Sequence, residues 1–439
     1  MLLTTLIAAA LWHAPLHTLK PPVDSLKPVE RAIARAVDRR TAEAIALLER
    51  LVNTNSGTMN LAGVRQVGAM LRVRLDSLGF RTRWVDGTSF GRAGHLVAEH
   101  PGPGPKLLLV GHIDTVFEPT SPFQKMERLA DSTARGPGII DMKGGDVIMI
   151  LALEALKDAG TLDALNVTIV MNGDEENAGE PITEARRALM DAARGAAAAI
   201  GFEDGAGILG TGVVARRGAA SWQLDVTGEA AHSSQIFKDS IGFGAIFETA
   251  RILDAFRTRL SKEAYLAFNP GVAVGGARVT LDAEANTGTA EGKSNIVAER
   301  MKVQGDLRTL SPEQLARTKA TMREIVAAHL GHTTATITFD DGYPPMAPTD
   351  GNKRLLALHD QASRDLGLGP VNPVDPSKAG AADVSFVAGI VPMIIDGVGL
   401  AGHDDHSPQE TADLRSLSVR AKRAAVTMYR LSQMKALVP

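Results

Sequence analysis

Short apolar runs along this chain end, one after another, on acidic residues or histidines. LLLVGHIDT leads to His112 and Asp114, VTIVMNGDEE to Glu175 and Glu176, and AAAIGFED to Glu203. Asp141 stands in GPGIIDMKGG, and His406 in GHDDHSPQE near the C-terminus. Such groups are costly to bury unless they are paired or bind a cation. The fold must therefore gather these segment ends in one place. An open α/β sheet does so, because its ligands bind at the carboxyl ends of the strands.

The rest of the pattern agrees. A chain of 439 residues is expected to form two domains rather than one core. VERAIARAVDRRTAEAIALLERLV, from about Glu30 to Leu51, has apolar residues at helical spacing, and a second helix is predicted over Leu61 to Leu78, closed by Gly79. HLVAEH reads as a strand, and PGPGP as a turn before LLLVGHIDT. Strands alternate with helices through about Ile208, which predicts an α/β domain with a mostly parallel sheet.

After LGTGVVARRG the texture changes. SWQLDVTGEA, GVAVGGARVT, AERMKVQGDLRT and TTATITFDD read as strands, with helices at about Gly242–Leu260 and Pro312–Leu330. Two helices over a small antiparallel sheet make a compact α+β insert. TDGNKRLLALHDQASRDLG then returns the chain to the first domain. The expected organisation is a first domain in two parts, 30–214 and 342–439, interrupted by an insert at 215–341.

Composition narrows the chemistry. The formal net charge of −3 gives no electrostatic argument for nucleic acid or an acidic membrane. With no cysteine, disulfides, thiolate zinc sites and a cysteine nucleophile are excluded. Any zinc must sit on histidine and carboxylate ligands, which favours a catalytic over a structural site.

MLLTTLIAAALWHAP is apolar from Leu2 to Trp12 and too short to span a bilayer. It reads as the apolar core of a secretory signal, with small residues up to Ala14 as a cleavage region. Residues 1–22 are thus expected to be a signal peptide and the mature chain periplasmic or secreted, without a membrane-spanning segment. No Lys or Arg precedes the stretch, and the alternative is a buried N-terminal helix in a cytoplasmic protein.

Each site residue has an ordinary explanation when taken alone. His112 fits a core histidine at a strand end, Asp141 a helix N-cap, the Glu175–Glu176 pair a solvated loop, and His232 in TGEAAHSS a surface histidine. Taken together they form a constellation. His112 and Asp114, two apart on an extended segment, point to one side, so that Asp114 can hold the second ring nitrogen of a metal-ligating His112. Glu175 and Glu176 face opposite ways, so one can bind metal while the other serves as a general base. Near the C-terminus His403, Asp404, Asp405 and His406 leave the ligand choice open. No GxSxG elbow is present. The chemistry that fits is attack on an amide carbonyl by water acidified between two metals.

GHIDTV, GPGIIDMKGG, NGDEE, GFED, AAHSS, GKSNIV with GDLR, and HSPQE together resemble the zinc metallopeptidases that include bacterial glutamate carboxypeptidase, aminoacylase and succinyl-diaminopimelate desuccinylase, and the glutamate carboxypeptidase branch most. The resemblance runs from about residue 40 to 435. It implies a di-zinc catalytic domain interrupted by a smaller lid domain that forms homodimers, with manganese or cobalt as other metals the ligands suit. Carried over, His112 and Glu203 hold one zinc, Glu176 and His406 the other, and Asp141 bridges them. Asp114 orients His112, Glu175 is the general base, and the peptide after Asp141 is strained and often cis. His406 is preferred to His403 because Ser-Pro-Gln-Glu follows it.

The resemblance also gives the lid residues roles. His232 would reach the neighbouring subunit's site and stabilise the oxyanion, while Asn295 and Arg308 grip the substrate's free carboxylate. Asp383, in GAAD, falls in a glycine-rich substrate loop; Ala382 and Asp204 stand where a hydroxyl residue and a proline are common. The expected substrate is a small peptide cleaved by an exopeptidase, or an N-acyl amino acid cleaved by a deacylase. A non-catalytic relative that binds metabolites is the remaining alternative.

Overall fold

The protein is described by a computed structural model covering residues 26–282 and 285–434. The apolar leader read in residues 1–22 lies outside the described residues. Helices α1 (Pro28–Val52) and α2 (Leu61–Ser77) precede strands β1 (Arg81–Asp86), β2 (Gly94–His100) and β3 (Lys106–His112). Helix α3 (Gly144–Asp158) leads to β4 (Asn166–Asn172) and β5 (Ala198–Gly201). An inserted domain follows, with β6 (Ala219–Gly228), α4 (Gly244–Leu260), β7 (Ala267–Gly276), β8 (Arg300–Arg308), α5 (Pro312–Ala327) and β9 (Thr333–Tyr343). The chain returns through α6 (Asp350–Asp365), the short strand β10 (Ile394–Ile395) and α7 (Arg415–Ser432).

The central sheet has the order β1-β2-β4-β3-β5-β10. Strands β4, β3, β5 and β10 run parallel, while β1 and β2 pair antiparallel at one edge. Alternation of side chains along β3 divides the core. Leu107 and Leu109 join α1, α2, α3, α6 and α7 on one face, while Leu108 and Val110 pack under Leu189, Ala193, Val384 and Val387 on the other. Helix α3 is sandwiched between its neighbours, with every residue from Gly144 to Leu156 buried. That explains its nearly unbroken apolar sequence, since a helix covered on all sides has no polar face.

The inserted sheet is antiparallel, in the order β7-β8-β6-β9. Burial alternates along β6, whose Trp222, Leu224 and Val226 meet Phe256 of α4 and Met322 of α5. GVAVGGARVT is not one strand. It breaks after Gly276, and Arg278–Asp282 pairs instead with Thr287–Glu291 in a separate ribbon. A Cβ at Gly276 would collide with the Glu291 carbonyl, so this crossing point requires glycine. Among the described residues no helix is long and apolar enough to cross a membrane.

One core contact makes stability depend on pH. His359 of α6 is buried, with Nδ1 3.0 Å from Thr427 Oγ1 of α7. Burial, reinforced by Arg423 and Arg420, pushes its pKa down to about 3. The folded chain keeps this imidazole neutral, whereas the unfolded chain binds a proton below about pH 6.5. The unfolded state then binds more protons, so its contribution to stability is present above about pH 6.5 and is lost as the pH falls. Urea unfolding between about pH 6 and 4 should show His359→Gln flattening the slope by about 1.4 kcal/mol per pH unit. An unchanged slope would contradict the assignment.

Candidate metal centre

Strands β3 and β5 are parallel neighbours, with Val110 opposite Gly201. Their ends therefore bring His112 and Glu203 together. His112 Nε2 lies 3.0 Å from Asp141 Oδ1 and 3.3 Å from Glu203 Oε1. The other Asp141 oxygen, Oδ2, lies 2.9 Å from His406 Nε2, which is 3.2 Å from Glu176 Oε2. One carboxylate thus faces two imidazoles, each of which has a second carboxylate of its own. Asp405 also lies with Asp141 and His406 in a group whose ligand atoms are within 4.8 Å of one another. Asp405 is exposed, whereas Glu176 Oε1 is buried without a partner, so Glu176 is the group that needs a cation. His403 points elsewhere, its Nδ1 2.7 Å from the exposed Asp404.

Asp141 is not a helix cap: its φ of −118° and ψ of 92° are extended, and the peptide to Met142 is cis. Its loop is shaped by glycines and by a remote acid. Gly138 has φ +68°, and a Cβ on Gly145 would strike the Phe202 carbonyl at the base of the Glu203 segment. Buried Glu410 accepts the N–H groups of Gly138 at 2.9 Å, Ile140 at 2.8 Å and Asp141 at 3.2 Å. The turn carrying His406 is itself unusual, with Asp404 and His406 at φ 63° and 56°. Side chains other than glycine rarely adopt that region.

Asp114 is fully buried and joins the two halves of the site. Its carboxylate accepts Thr58 Oγ1 at 2.6 Å and the backbone N–H groups of Glu175 at 3.0 Å and Glu176 at 3.1 Å. His112 Nδ1 faces this residue through both its carbonyl, at 3.2 Å, and Oδ1, at 3.4 Å. The same group therefore fixes an imidazole and the peptides of both glutamates.

The electrostatics express an excess of negative charge. Burial alone would lower the His112 pKa, but Glu203, Asp114 and Asp141 hold it well above the ordinary value. His406 is pushed up to about 11 by Asp141 and Glu176. Burial would raise Asp141, yet its two imidazoles hold it well below the usual carboxylate range. Burial raises Glu175 and Glu203 and, with Asp141, pushes Glu176 up to about 8. In the His406–Glu176 contact the proton belongs to the half-exposed imidazole, which faces two carboxylates. A pocket that draws protons onto histidines is one a divalent cation can fill, and nitrogen and oxygen donors without sulfur suit zinc, manganese or cobalt.

Comparison with known proteins agrees with this geometry. The description of peptidase family M20/M25/M40 matches residues 108–430. The chain belongs to that family. It is a metal-dependent hydrolase. Carboxypeptidase G2 of Pseudomonas sp. (strain RS-16) is 27% identical over 402 residues, 89% of each chain. Aminopeptidase PepT of Bacillus cereus ATCC 10987 superposes with a TM-score of 0.71 at 18% identity, over 90% of this chain and 99% of its own. The YXEP protein of Bacillus subtilis, a dinuclear metal binding peptidase from the M20 family, gives a TM-score of 0.61 at 16% identity, over 90% and 99% of the two chains. At those identities the two structures speak for the fold alone.

The family's α/β domain thus carries His112, Asp114, Asp141, Glu175, Glu176, Glu203 and His406 in one cluster. The remaining candidates lie in the inserted lid. His232 and Asn295 are exposed neighbours, joined where Ser233 N–H donates to the Asn295 carbonyl at 2.8 Å. Arg308 ends β8 and pairs with Asp306 at 3.1 Å. Among the described residues none of these three bonds to the cluster within the same chain. Asp383, read as part of a substrate loop, is buried and bound to Arg186 and Asn172.

Sequence reading missed Thr58, Glu410, Arg186 and Tyr343. Only Glu410 left a trace, as the last letter of HSPQE. Glu410→Ala would leave three backbone donors of the Asp141 loop unpaired. Metal affinity is expected to fall about 10- to 100-fold, as for other groups that support ligands, measured by competition with a chelator. Unaltered affinity would mean that the loop holds its shape without Glu410.

Proposed function

We propose that this chain is a dinuclear metallohydrolase that cleaves a peptide or amide bond beside a free carboxylate, as a glutamate carboxypeptidase does. The observation that carries the reading is the sharing of Asp141, whose two oxygens lie 3.0 and 2.9 Å from His112 and His406. His112 and Glu203 would hold one zinc ion and Glu176 and His406 the other, with Asp141 between them. The shared family, whose YXEP member is a dinuclear metal binding peptidase, supports the count of two. When bound, the metals supply Lewis acidity, polarising the scissile carbonyl and acidifying the attacking water.

The chain's own groups do the rest. Glu175 takes a proton from the attacking water and returns it to the leaving nitrogen, so that one residue serves as base and then acid. Asp114 keeps His112 in one tautomer and orientation. His232 of a second copy donates a hydrogen bond to the oxyanion, whose charge develops only in the transition state. Asn295 and Arg308 grip the free carboxylate, for which the planar guanidinium fork is well shaped.

Homodimerisation through the lid is supported by its surface. The Phe237 ring lies 5.7 Å from that of Phe243 and 5.4 Å from that of Phe247, centroid to centroid, and all three are exposed, as are Ile246 and Ile296. Exposed apolar groups of this kind mark contact surfaces, and these lie on the domain that carries His232.

Glu175→Gln should retain both metals by elemental analysis while turnover falls by about two to four orders of magnitude. Hydrolysis at the wild-type rate would overturn the base assignment. Mixing Glu175→Gln with His232→Ala subunits should raise activity well above that of either variant alone, because a mixed dimer contains one complete site. Failure to complement would place His232 outside the partner's chemistry. Arg308→Ala should raise KM for substrates with a free carboxylate and spare their amidated analogues; equal losses on both would contradict a carboxylate grip.

A further inference from the structure

The Glu175 peptide is held at both ends by side chains. Its N–H donates to Asp114 Oδ1 at 3.0 Å, and its carbonyl accepts the hydroxyl of Tyr343 at 2.7 Å. Asp114 belongs to the metal centre. Tyr343 closes β9, the last strand of the lid, and stands where the chain crosses back to the catalytic domain. Gly342 before it has φ +41°, Pro344 and Pro345 follow it, and the pairing of β9 with β6 slips between Asp340 and Tyr343. This is the crossover segment between the lid and the catalytic domain, and its tyrosine reaches the backbone of the proposed base.

Behind the hydroxyl stands Arg186, fully buried. Its Nη2 donates to the Tyr343 hydroxyl at 2.6 Å and to the Asp174 carbonyl at 3.0 Å. Nη1 donates to Asp174 Oδ1 at 2.7 Å and Nε to Asp383 Oδ1 at 2.6 Å. Asn172 Nδ2 donates to the other Asp383 oxygen at 2.6 Å. The Tyr343 ring packs against Phe386, centroids 5.0 Å apart, and the guanidinium lies 5.5 Å from both rings. A guanidinium only donates, so the tyrosine hydroxyl accepts from Arg186 and must send its own hydrogen to the Glu175 carbonyl. The direction of the chain is fixed: Arg186 to Tyr343 to Glu175.

The two ends of this chain belong to different bodies. Arg186, Asp174, Asp383 and Asn172 are parts of the catalytic domain, and Tyr343 is part of the lid's exit. We propose that Tyr343 is a positioning residue that ties the orientation of the lid to the placement of Glu175, so that the base is correctly aimed only when the lid stands at the angle that seats this hydroxyl. The inference rests on the reading of Glu175 as the base. It adds to that reading a mechanical link between lid angle and the proton-transfer step.

Tyr343→Phe keeps the ring and removes the hydroxyl. Loss of one such hydrogen bond is expected to lower kcat roughly tenfold, with KM and metal content unchanged. If the effect passes through Glu175, it should vanish where the base is already misplaced. In Glu175→Asp the added Tyr343→Phe should cost under about twofold, whereas in His232→Ala the roughly tenfold loss should persist in full. Unchanged kcat in Tyr343→Phe, full additivity with Glu175→Asp, or loss of metal in Tyr343→Phe would each overturn the proposal. Glu175→Gln at the wild-type rate would instead overturn the base reading, and that result is read without touching Tyr343.

Discussion

Repulsion among carboxylates at the carboxyl ends of the central strands is the constraint on which the rest of this structure depends. Asp141, Glu176 and Glu203 converge on two imidazoles, and burial together with Asp141 and Glu203 holds the neighbouring Asp204 carboxyl well above its usual range. Two like charges 4 Å apart repel by about 4 kcal/mol at an effective dielectric near 20. Protons on His112 and His406 relieve part of that, and a divalent cation in the same place relieves more. The fold must hold the acids together before either arrives, and it does so with covalent connection to rigid strands and with donors placed behind each ligand.

Those donors are backbone N–H groups and buried arginines. Asp114 gathers the amides of Glu175 and Glu176, and Glu410 gathers those of Gly138, Ile140 and Asp141. Each acid is thus spent on shaping a loop that presents another acid. Arg216 performs a similar task beneath Glu203: its Nε donates to Asp396 at 2.6 Å, and Asp396 accepts the Glu203 N–H at 3.3 Å. Buried charges are tolerable when such partners satisfy them, and removal of one partner strands the other. The metal centre is therefore as much a network of supporting groups as a set of ligands.

The fold class and the grouping of acids and histidines were legible because both depend on local pattern. LLLV and AAAI are continuous apolar runs, as strands buried on both faces must be, and a charge at the end of such a run stands out against it. What was not legible depends on contacts remote in sequence. Glu410 lies 272 residues from Gly138 and Tyr343 lies 157 from Arg186, so nothing in HSPQE or PITEARRAL signals the partner. The insertion of β4 between β2 and β3 is of the same kind, since no local pattern fixes strand order. The break at Gly276 was hidden for another reason: the residues beyond it continue to alternate as a strand, but in a different ribbon.

Access to the cluster is asymmetric, and that asymmetry separates catalysis from recognition. The side chain of His112 is 1% exposed and that of Glu176 4%, while that of His406 is 54% exposed. The sheet side is closed by α3 and the core beneath it, so solvent reaches the centre past His406. On the proposed reading, a substrate arriving there meets ligands and base on one side only. The groups that read its far end must come from elsewhere, and the exposed polar residues of the lid, His232 and Asn295 among them, face solvent rather than their own chain's cluster. Strand ends crowded with acids can hold metals and handle a proton, but they have no cation to spare for a carboxylate. In the function proposed above, Arg308 of the lid serves that purpose. The lid's last strand ends on Tyr343, whose hydroxyl donates to the Glu175 carbonyl, so on that reading recognition and proton transfer share one joint.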